Sequence, residues 1–415
     1  MEQRSKGITE LVLTYARSEP PRDVRGIMRL SVLDWAACGI AGAQGGGFAA
    51  WASTLDAAGP ATRFDGRMGS VSEAALVNGT LSHALDFDDT HFAHIGHPSV
   101  AVVPAALAMA EMASASMATM VDAALVGAET SVAVGMWLGR GHYQVGYHQT
   151  ATAGAFGATV AAGRILDLSD TQMRHALSLC STMASGLKSQ FGTMGKPLNA
   201  GLAARCGVEA ARWAASGMTS VWDGLSGPLG FGETHLGAGE LPVFAWRMGD
   251  VSHKFHACCH GLHASLEAVR GSDLSTARRI EVFTHPRWLT VCNQPAPDTG
   301  LGAKFSYKQV MAMAALGIDT GDIAQFTDDC AMRPDVITLR DRVHVSQDDT
   351  LSEMQARVVI DGEAHFHDLR TPLAYEARQE RIREKACALV GARADDLWAA
   401  IEAEDLSRFA GLLKS

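Results

Sequence analysis

The chain has 415 residues, of which 47% are hydrophobic and 19% are charged, so it is long enough for one large domain or two. This composition is ordinary for a soluble globular protein and excludes intrinsic disorder as its main state. The formal net charge of −10, without a lysine- or arginine-rich run, excludes nucleic acid as the main partner, because phosphate binding needs a basic face.

The N-terminus and the cysteines favour a cytoplasmic protein. Met1–Lys6 is polar, and no short apolar segment with a cleavage site follows it. The apolar run Ala101–Met112 is interrupted by Pro104 and Glu111 and is too short to span a bilayer, so we expect no membrane contact. The eight cysteines form no C-x-x-C pair, which argues against a zinc ribbon or a redox motif and is typical of reduced cytosolic thiols.

The first half of the chain is predicted to be helical almost throughout. Apolar residues recur at three- and four-residue spacing, and many alanines and glycines allow helices to approach closely. A capping box, Ser70-x-x-Glu73, begins the third predicted helix. The predicted helices, in chain order, are Ile8–Ala16, Arg22–Ala43, Val71–Leu85, Ala101–Ala113, Met120–Gly139, Ala151–Leu166, Asp170–Met183 and Gly201–Ala215.

Strand patterns begin after about Val251. Alternating residues predict strands at Arg279–His285, Arg342–Val345, Met354–Ile360 and Glu363–His367, the last two joined by a turn at Asp361-Gly362. The tail, Ala377–Leu413, is predicted to be helical again. The expected fold class is therefore mainly α with an inserted α+β domain. Residues 1–250 and 375–415 would form a helical domain from both chain ends, and residues 251–374 a smaller lid-like α+β domain.

The segment 86–99 concentrates side chains that are useful for chemistry. Its acids follow the C-terminus of the predicted helix Val71–Leu85, where the helix dipole disfavours negative charge. A sequence that retains such a cost usually has a chemical use for it. Residues 86–97 of this segment contain three carboxylates, one hydroxyl and three imidazoles, on Asp86, Asp88, Asp89, Thr90, His91, His94 and His97.

Four basic or titratable groups precede predicted helices: His97, His148, Lys196 and Lys254. We expect Pro197 to hold Lys196 extended, and Asn199 to cap the helix Gly201–Ala215. Helix N-termini bind anions, whereas cations gain nothing there. If these starts converge in space, they form a pocket for a small polycarboxylate; otherwise they are ordinary polar helix entries. A helix N-terminus also lowers a histidine pKa, which would keep His97 or His148 neutral and able to act as a base.

A metal site is a second interpretation of the same segment. His91, His94 and His97 have a spacing of three, and aspartates lie nearby. Asp-Phe-Asp-Asp is also similar to the magnesium-binding aspartates of all-helical terpenoid synthases. However, Gly96 and Pro98 interrupt the helical spacing, and no second acidic metal motif is evident. We therefore expect no metal.

A cysteine nucleophile is a third interpretation. Cys258 and Cys259 lie near Lys254, His256 and His260, which would lower a thiol pKa. Structural cysteines at a helix entry are the favoured alternative.

The chain resembles the MmgE/PrpD family, which includes 2-methylcitrate dehydratase, cis-aconitate decarboxylase and iminodisuccinate epimerase. The similar blocks occur in family order and span most of the chain. They are Val77–Thr90, His97–Ser99, Gly146–His148, Phe191–Leu198, Ala203–Arg205, Lys254 with Cys258–His263, and Ala303–Ser306.

The resemblance implies an active site between a helical domain and a lid-like domain, usually in a homodimer, with no required metal or organic cofactor. The catalytic positions that it implies are Asp86, Thr90, His97, His148, Lys196 and Lys254. The substrate-binding positions that it implies are Lys196, Lys254, Cys259 and Gln309.

Members of this family break a bond at a carbon next to a carboxylate, which requires cations to hold carboxylates and stabilise enolate-like charge. We assign Lys196 and Lys254 to that task. His97 and His148 are the acid-base candidates, Asp86 would orient an imidazole, and Thr90 would bond the substrate. The remaining polar residues of the segment, Asp88, Asp89, His91 and His94, are expected to shape the loop or support it.

The predicted function is a cofactor-independent lyase of the dehydratase type that acts on a small di- or tricarboxylate. Cys259 stands where the decarboxylase branch has a histidine, and Gln309 where it has a tyrosine, which weakens a decarboxylase assignment. The chain is also short for a 2-methylcitrate dehydratase. The alternatives are an epimerase of an iminodisuccinate-like dicarboxylate and a decarboxylase of the cis-aconitate type. An inactive member retained for binding is disfavoured, because all six catalytic positions keep a competent residue.

Overall fold

The computed structural model of the protein describes residues 7–56 and 58–414. The described chain is mostly helical with a small mixed sheet. It divides into two compact units: a first unit within Met1–His253 and Val390–Ser415, and a second unit, Lys254–Leu389.

The first unit is built from helices and one short antiparallel strand pair, Ala61–Thr62 (β1) with Met68–Gly69 (β2). Most of the predicted helices are present, with ends that shift by a few residues. The helices of this unit are α1 Ile8–Arg17, α2 Arg22–Ala43, α3 Gly46–Ala52, α4 Val71–Ser82, α5 Ser99–Ala113, α6 Met117–Gln144, α7 Gln149–Ile165, α8 Asp170–Cys180, α9 Gly195–Ala215 and α10 Phe231–Thr234, with α18 Arg393–Glu402 and α19 Leu406–Leu412 from the C-terminal tail.

Small residues allow the central helices to approach at backbone distance. Helix α7 is buried from Gln149 to Gly163 and packs against α5, α6 and α9. A Cβ atom on Gly157 would lie 2.4 Å from the carbonyl oxygen of Gly127 on α6, and one on Gly207 would lie 2.4 Å from the Cβ of Ala158. Glycine is therefore required at these crossings, as the alanine- and glycine-rich sequence predicted.

Helix α6 is long and apolar enough to cross a membrane by length and composition alone. However, 83% of its apolar window is buried inside the protein. It is bent at Gly139, whose φ of 74° lies outside the helical region. This degree of burial is typical of the core helix of a globular unit.

The second unit contains a four-stranded sheet in the order β4-β3-β5-β6. Its strands are β3 Ile280–Thr284, β4 Val343–Gln347, β5 Gln355–Ile360 and β6 Glu363–Asp368. Strand β3 pairs in parallel with β4, and the other two pairs are antiparallel. The turn between β5 and β6 has positive φ at both Asp361 (47°) and Gly362 (100°), as a two-residue hairpin turn requires, so the predicted hairpin is confirmed.

Short helices cover the sheet of the second unit. Helix α11 packs on β5 and β6, and α14 packs against α16 and β4. These helices are α11 His263–Ala268, α12 Pro286–Val291, α13 Gly300–Ala303, α14 Tyr307–Ala315, α15 Asp328–Ala331, α16 Pro334–Arg340 and α17 Tyr375–Val390.

Helix α17 belongs to a different structural unit from the one that the sequence predicted. The prediction assigned residues 375–415 to the helical domain, whereas residues up to Leu389 belong to the second unit. The reason is a set of side-chain contacts: Arg381 pairs with Glu267 of α11, and its guanidinium lies 3.8 Å from the ring centre of Phe255. A helical pattern alone does not specify such partners.

The close approach of α7 and α9 gives a stability prediction. Gly207→Ala should lower the free energy of unfolding by about 1–3 kcal/mol, because the new methyl group overlaps Ala158 and the backbone of α7. The matched control is Gly411→Ala in α19, where a Cβ meets nothing within 4 Å and the change should stabilise by about 0.5–1 kcal/mol. Urea denaturation measures both, and equal effects would contradict the packing argument.

Candidate active site

The chain turns sharply where α4 ends. The Ser70 hydroxyl accepts a hydrogen bond from the Glu73 N–H (3.2 Å), which confirms the N-cap half of the predicted capping box. The helix ends at Ser82 rather than at Leu85, and Asp86 adopts a left-handed conformation with φ of 51°. Aspartate tolerates this conformation better than most residues. The acidic residues therefore lie in a turn beyond the helix.

Asp88 lies between two imidazoles. Its carboxylate oxygens are 2.9 and 3.0 Å from Nδ1 of His83, and its Oδ2 is 2.8 Å from Nδ1 of His97. The side chain is 1% exposed. Burial alone would raise the pKa of Asp88, but the two adjacent imidazoles hold it well below its usual value. Asp88, which we expected only to shape the loop, thus lies beside Nδ1 of His97, and the orienting role that we assigned to Asp86 stays a prediction.

Asp86 instead pairs with Lys196. Lys196 Nζ lies 2.8 Å from Asp86 Oδ1, and the same oxygen is 3.6 Å from Nε2 of His97. The ammonium also lies 5.3 Å from the ring centre of Phe191. The structure therefore brings a cation, a carboxylate and an acid-base candidate together at one point.

The start of α9 corrects two predictions. Lys196 was expected to be extended before Pro197, but both residues lie in the first turn of α9, which begins at Gly195. Proline is tolerated there because the first N–H groups of a helix have no intrahelical partner. Asn199 is consequently inside the helix, where it contacts His148 and does not act as a cap.

His148 is the N-cap residue of α7. Its backbone N–H donates to the Gly186 carbonyl (2.9 Å), and its Nδ1 lies 3.3 Å from Nδ2 of Asn199. The ring stacks on His83 with a centre-to-centre distance of 5.9 Å. Burial, followed by the nearby groups His83 and Lys196, holds the pKa of His148 well below its usual value. A lowered pKa favours the neutral imidazole, and its main cause is burial.

Asp89 and Thr90 fasten the loop. Ser99 donates to Asp89 through its hydroxyl (2.5 Å) and its N–H (3.3 Å), so Asp89 caps the start of α5. Burial raises the pKa of Asp89 to about 7. Thr90 forms an antiparallel bridge with Ser252, with N–H to oxygen distances of 2.9 and 2.8 Å, and its hydroxyl donates to the same Ser252 carbonyl (3.4 Å).

The three histidines of the disfavoured metal interpretation, His91, His94 and His97, make different contacts. His91 Nε2 is 3.0 Å from the Arg247 carbonyl oxygen. His94 is fully buried, and this burial lowers its pKa to about 3 although the Gly96 backbone lies within hydrogen-bonding reach of its ring. The three imidazoles thus have different surroundings.

A different set of side chains is compact enough for a cation. Donor atoms of His83, Asp86, Asp88 and His97 lie within 4.8 Å of one another. These atoms already contact each other, and Asp86 also contacts Lys196. A divalent ion would have to displace that ammonium and the Asp88 contacts. We therefore interpret the cluster as an acid-base network.

Two family profiles match most of the chain. The MmgE/PrpD N-terminal domain matches residues 6–243, and the MmgE/PrpD C-terminal domain matches residues 256–402. The chain belongs to the MmgE/PrpD family.

Relatives of this MmgE/PrpD chain include several proteins named as cis-aconitate decarboxylases. The Aspergillus terreus enzyme is 26% identical over 456 residues, which covers 94% of this chain and 90% of that protein. The cis-aconitate decarboxylase-like protein oryM of Aspergillus oryzae is 27% identical, with coverages of 89% and 86%. The human enzyme is 26% identical, with coverages of 76% and 73%. These similarities support an enzyme with a lyase-type role.

Three predicted site residues of this MmgE/PrpD chain belong to the second unit. Lys254 is buried, with 2% exposure. Cys259 is half-buried, and its N–H donates to the Lys304 carbonyl (2.8 Å). Gln309 is fully buried, and its Oε1 accepts from the guanidinium of Arg340 (3.2 Å), so its side chain serves an internal contact. Burial raises the pKa of the Cys258 thiol, which disfavours the thiolate nucleophile.

Sequence reasoning missed two residues of the site, His83 and Asn199. His83 lies inside the block Val77–Thr90 that resembles the family, but it precedes the acidic run and was not weighed. Asn199 was noticed only as a helix cap. The position of His83 in the sequence could have identified it, because it immediately follows α4 and precedes Asp88 by five residues.

The raised pKa of Asp89 gives a pH prediction. Because its folded-state pKa of about 7 exceeds the usual value of about 3.9, its stability contribution is complete below pH 4 and is lost as the pH rises toward 7. Asp89→Asn should remove a slope of up to about 1.4 kcal/mol per pH unit in this window. Urea denaturation between pH 4 and 8 measures it. Asp349→Asn, at an exposed position, is the control, and parallel curves for wild type and Asp89→Asn would contradict the prediction.

Proposed function

We propose that this MmgE/PrpD-family enzyme is a lyase of the dehydratase type that acts on a small di- or tricarboxylate. The observation that supports it best is the contiguous set of Asp88, His97, Asp86 and Lys196. It combines a buried carboxylate, an imidazole and an ammonium, which are the groups that proton removal next to a carboxylate requires.

In the proposed reaction, the Asp88 carboxylate, 2.8 Å from Nδ1 of His97, favours the proton on that nitrogen and leaves Nε2 as the base. Nε2 of His97 takes the proton from the carbon next to a substrate carboxylate, and the electron pair of the C–H bond moves into that carboxylate system. The electron pair then returns to form a C=C bond while the C–O bond at the neighbouring carbon breaks. The departing hydroxyl takes a proton from the His97 imidazolium and leaves as water.

The substrate carboxylate is proposed to exchange with Asp86 at Lys196. The ammonium is then paired in both states, so binding replaces one charge-assisted hydrogen bond with another instead of desolvating a free cation. The predicted contributions of Thr90, Lys254 and Cys259 to the substrate site, and the absence of a cofactor, remain predictions.

A decarboxylase of the cis-aconitate type is the second candidate. The names of the relatives at 26–27% identity favour it, whereas Cys259 and Gln309 replace the histidine and tyrosine of that branch. Both reactions require the same cation and the same stabilised charge at the carbon next to a carboxylate, so the network does not distinguish them.

We also propose that the protein is a homodimer. The first unit exposes several large apolar side chains between residues 187 and 244, which a second copy would cover. They include Leu187, Leu202, Trp213, Trp222 and Val243, the last with 74% exposure. Leu187, Leu202 and Trp213 line a cavity of about 640 Å³ along α9. The cytoplasmic location remains a prediction.

A substrate panel in D₂O tests the reaction type. Incubation with 2-hydroxy and 3-hydroxy di- and tricarboxylates should give the unsaturated acid and water, and cis-aconitate should release no carbon dioxide. Product analysis by NMR and mass spectrometry provides the measurement. Release of carbon dioxide from cis-aconitate would instead establish a decarboxylase. Deuterium exchange without loss of water or carbon dioxide would establish an epimerase.

The acid-base assignment predicts the effect of removing one imidazole. His97→Gln should lower kcat by about 10²- to 10⁴-fold and change KM much less, because the lost group acts on the transition state. Steady-state kinetics on the best substrate of the panel measures this. His175→Gln is a matched control, since His175 is half-buried and contacts Ser220 on another part of the first unit. Wild-type kcat in His97→Gln would contradict the assignment.

A further inference from the structure

The side-chain amide of Asn199 has only one orientation that fits its surroundings. Its Nδ2 lies 3.2 Å from the Leu187 carbonyl oxygen and 3.3 Å from Nδ1 of His148. A carbonyl oxygen can only accept a hydrogen bond, so the atom facing it must be the NH₂ group. The second hydrogen of the same NH₂ group is then available to Nδ1 of His148.

This orientation determines the tautomer of His148. Because the amide donates, Nδ1 of His148 must accept, and a neutral imidazole then has its proton on Nε2. The ring is 2% exposed and packs against His83 and Phe191. The charged and titratable groups around it are His83, Lys196, His97 and Asp86.

Backbone contacts hold both partners in place. The His148 N–H donates to the Gly186 carbonyl, and Tyr147 and Leu187 form an antiparallel bridge. Asn199 is 7% exposed, on the buried face of α9. The Leu187 carbonyl and the His148 imidazole, which both contact the Asn199 amide, thus belong to two segments that are paired with each other. This pairing keeps the distance between them constant.

We infer that Asn199 is a positioning residue that keeps His148 protonated on Nε2, so that His148 presents a neutral hydrogen-bond donor to the substrate. This inference rests on the proposed function and divides the roles of the two histidines. A neutral imidazole protonated on Nε2 cannot take a proton there, so His97 is the base. Within the described part of the chain, Nε2 of His148 has no hydrogen-bond partner, which leaves its proton for developing negative charge on a substrate oxygen. A neutral histidine that polarises an oxygen in this way is established chemistry in other enzymes.

The tautomer can be measured without any substrate. Long-range ¹H–¹⁵N spectra of protein labelled in the histidine rings distinguish protonated from unprotonated nitrogens, and the spectrum of His148→Gln identifies the signals of His148. We expect wild type to have a protonated Nε2 and an unprotonated Nδ1. Asn199→Asp is the isosteric test, because a carboxylate accepts from Nδ1 and reverses the tautomer. Its kcat should fall by about 10²- to 10⁴-fold with a smaller change in KM.

Thermal unfolding of each variant separates a folding defect from a positioning defect, and Asn199→Ala removes the donor without adding a charge. A protonated Nδ1 in wild type would overturn the inference, even if Asn199→Asp does not fold. An unchanged tautomer or wild-type kcat in folded Asn199→Asp would also overturn it. If wild type turns over no polycarboxylate, the proposed function fails, whereas the spectra of wild type and Asn199→Asp still decide whether Asn199 sets the tautomer.

Discussion

The charge of Asp88 is the constraint on which the rest of the site depends. An unpaired buried carboxylate costs several kcal/mol, and here two imidazoles offset that cost. His83 immediately follows α4, and His97 immediately precedes Pro98 at the start of α5. The intervening turn must therefore bring both helix ends to one carboxylate. The left-handed Asp86, the Asp89 cap on Ser99 and the Thr90 bridge to Ser252 each hold that turn in place.

Close helix packing and the chemistry of the site have the same origin. Gly79 on α4 approaches Gly201 on α9 so closely that a Cβ on Gly79 would lie 2.8 Å from the Gly201 Cα. Lys196 and Asn199 lie in the first turns of α9, and His148 begins α7. Small residues where these helices cross therefore let the end of α4 and the starts of α7 and α9 lie close together. Larger side chains at the crossings would hold these helices apart. The apolar core sets the spacing of the polar groups.

We propose a local site for anions in a chain with a net charge of −10. The helix starts at His148 and Lys196 contribute positive dipole ends, and burial lowers the pKa of His148, which favours its neutral form. The proposed division of roles follows from these environments. His97 faces an ionised carboxylate through Nδ1, whereas His148 faces an amide donor, so two residues of one type are suited to different tasks.

The sequence by itself determined the helical body, the hairpin at Asp361-Gly362 and the membership of Asp86, His97 and Lys196 in one candidate site. These features depend on local periodicity, turn chemistry or short motifs, which are written in neighbouring residues. Only the tertiary structure decided that Asp88 and not Asp86 lies beside Nδ1 of His97, that α9 begins before Lys196, and that Asn199 contacts His148. Each of these depends on contacts between residues distant in sequence or on the exact residue at which a helix begins. The local sequence pattern specifies neither, because tertiary packing overrides local propensity.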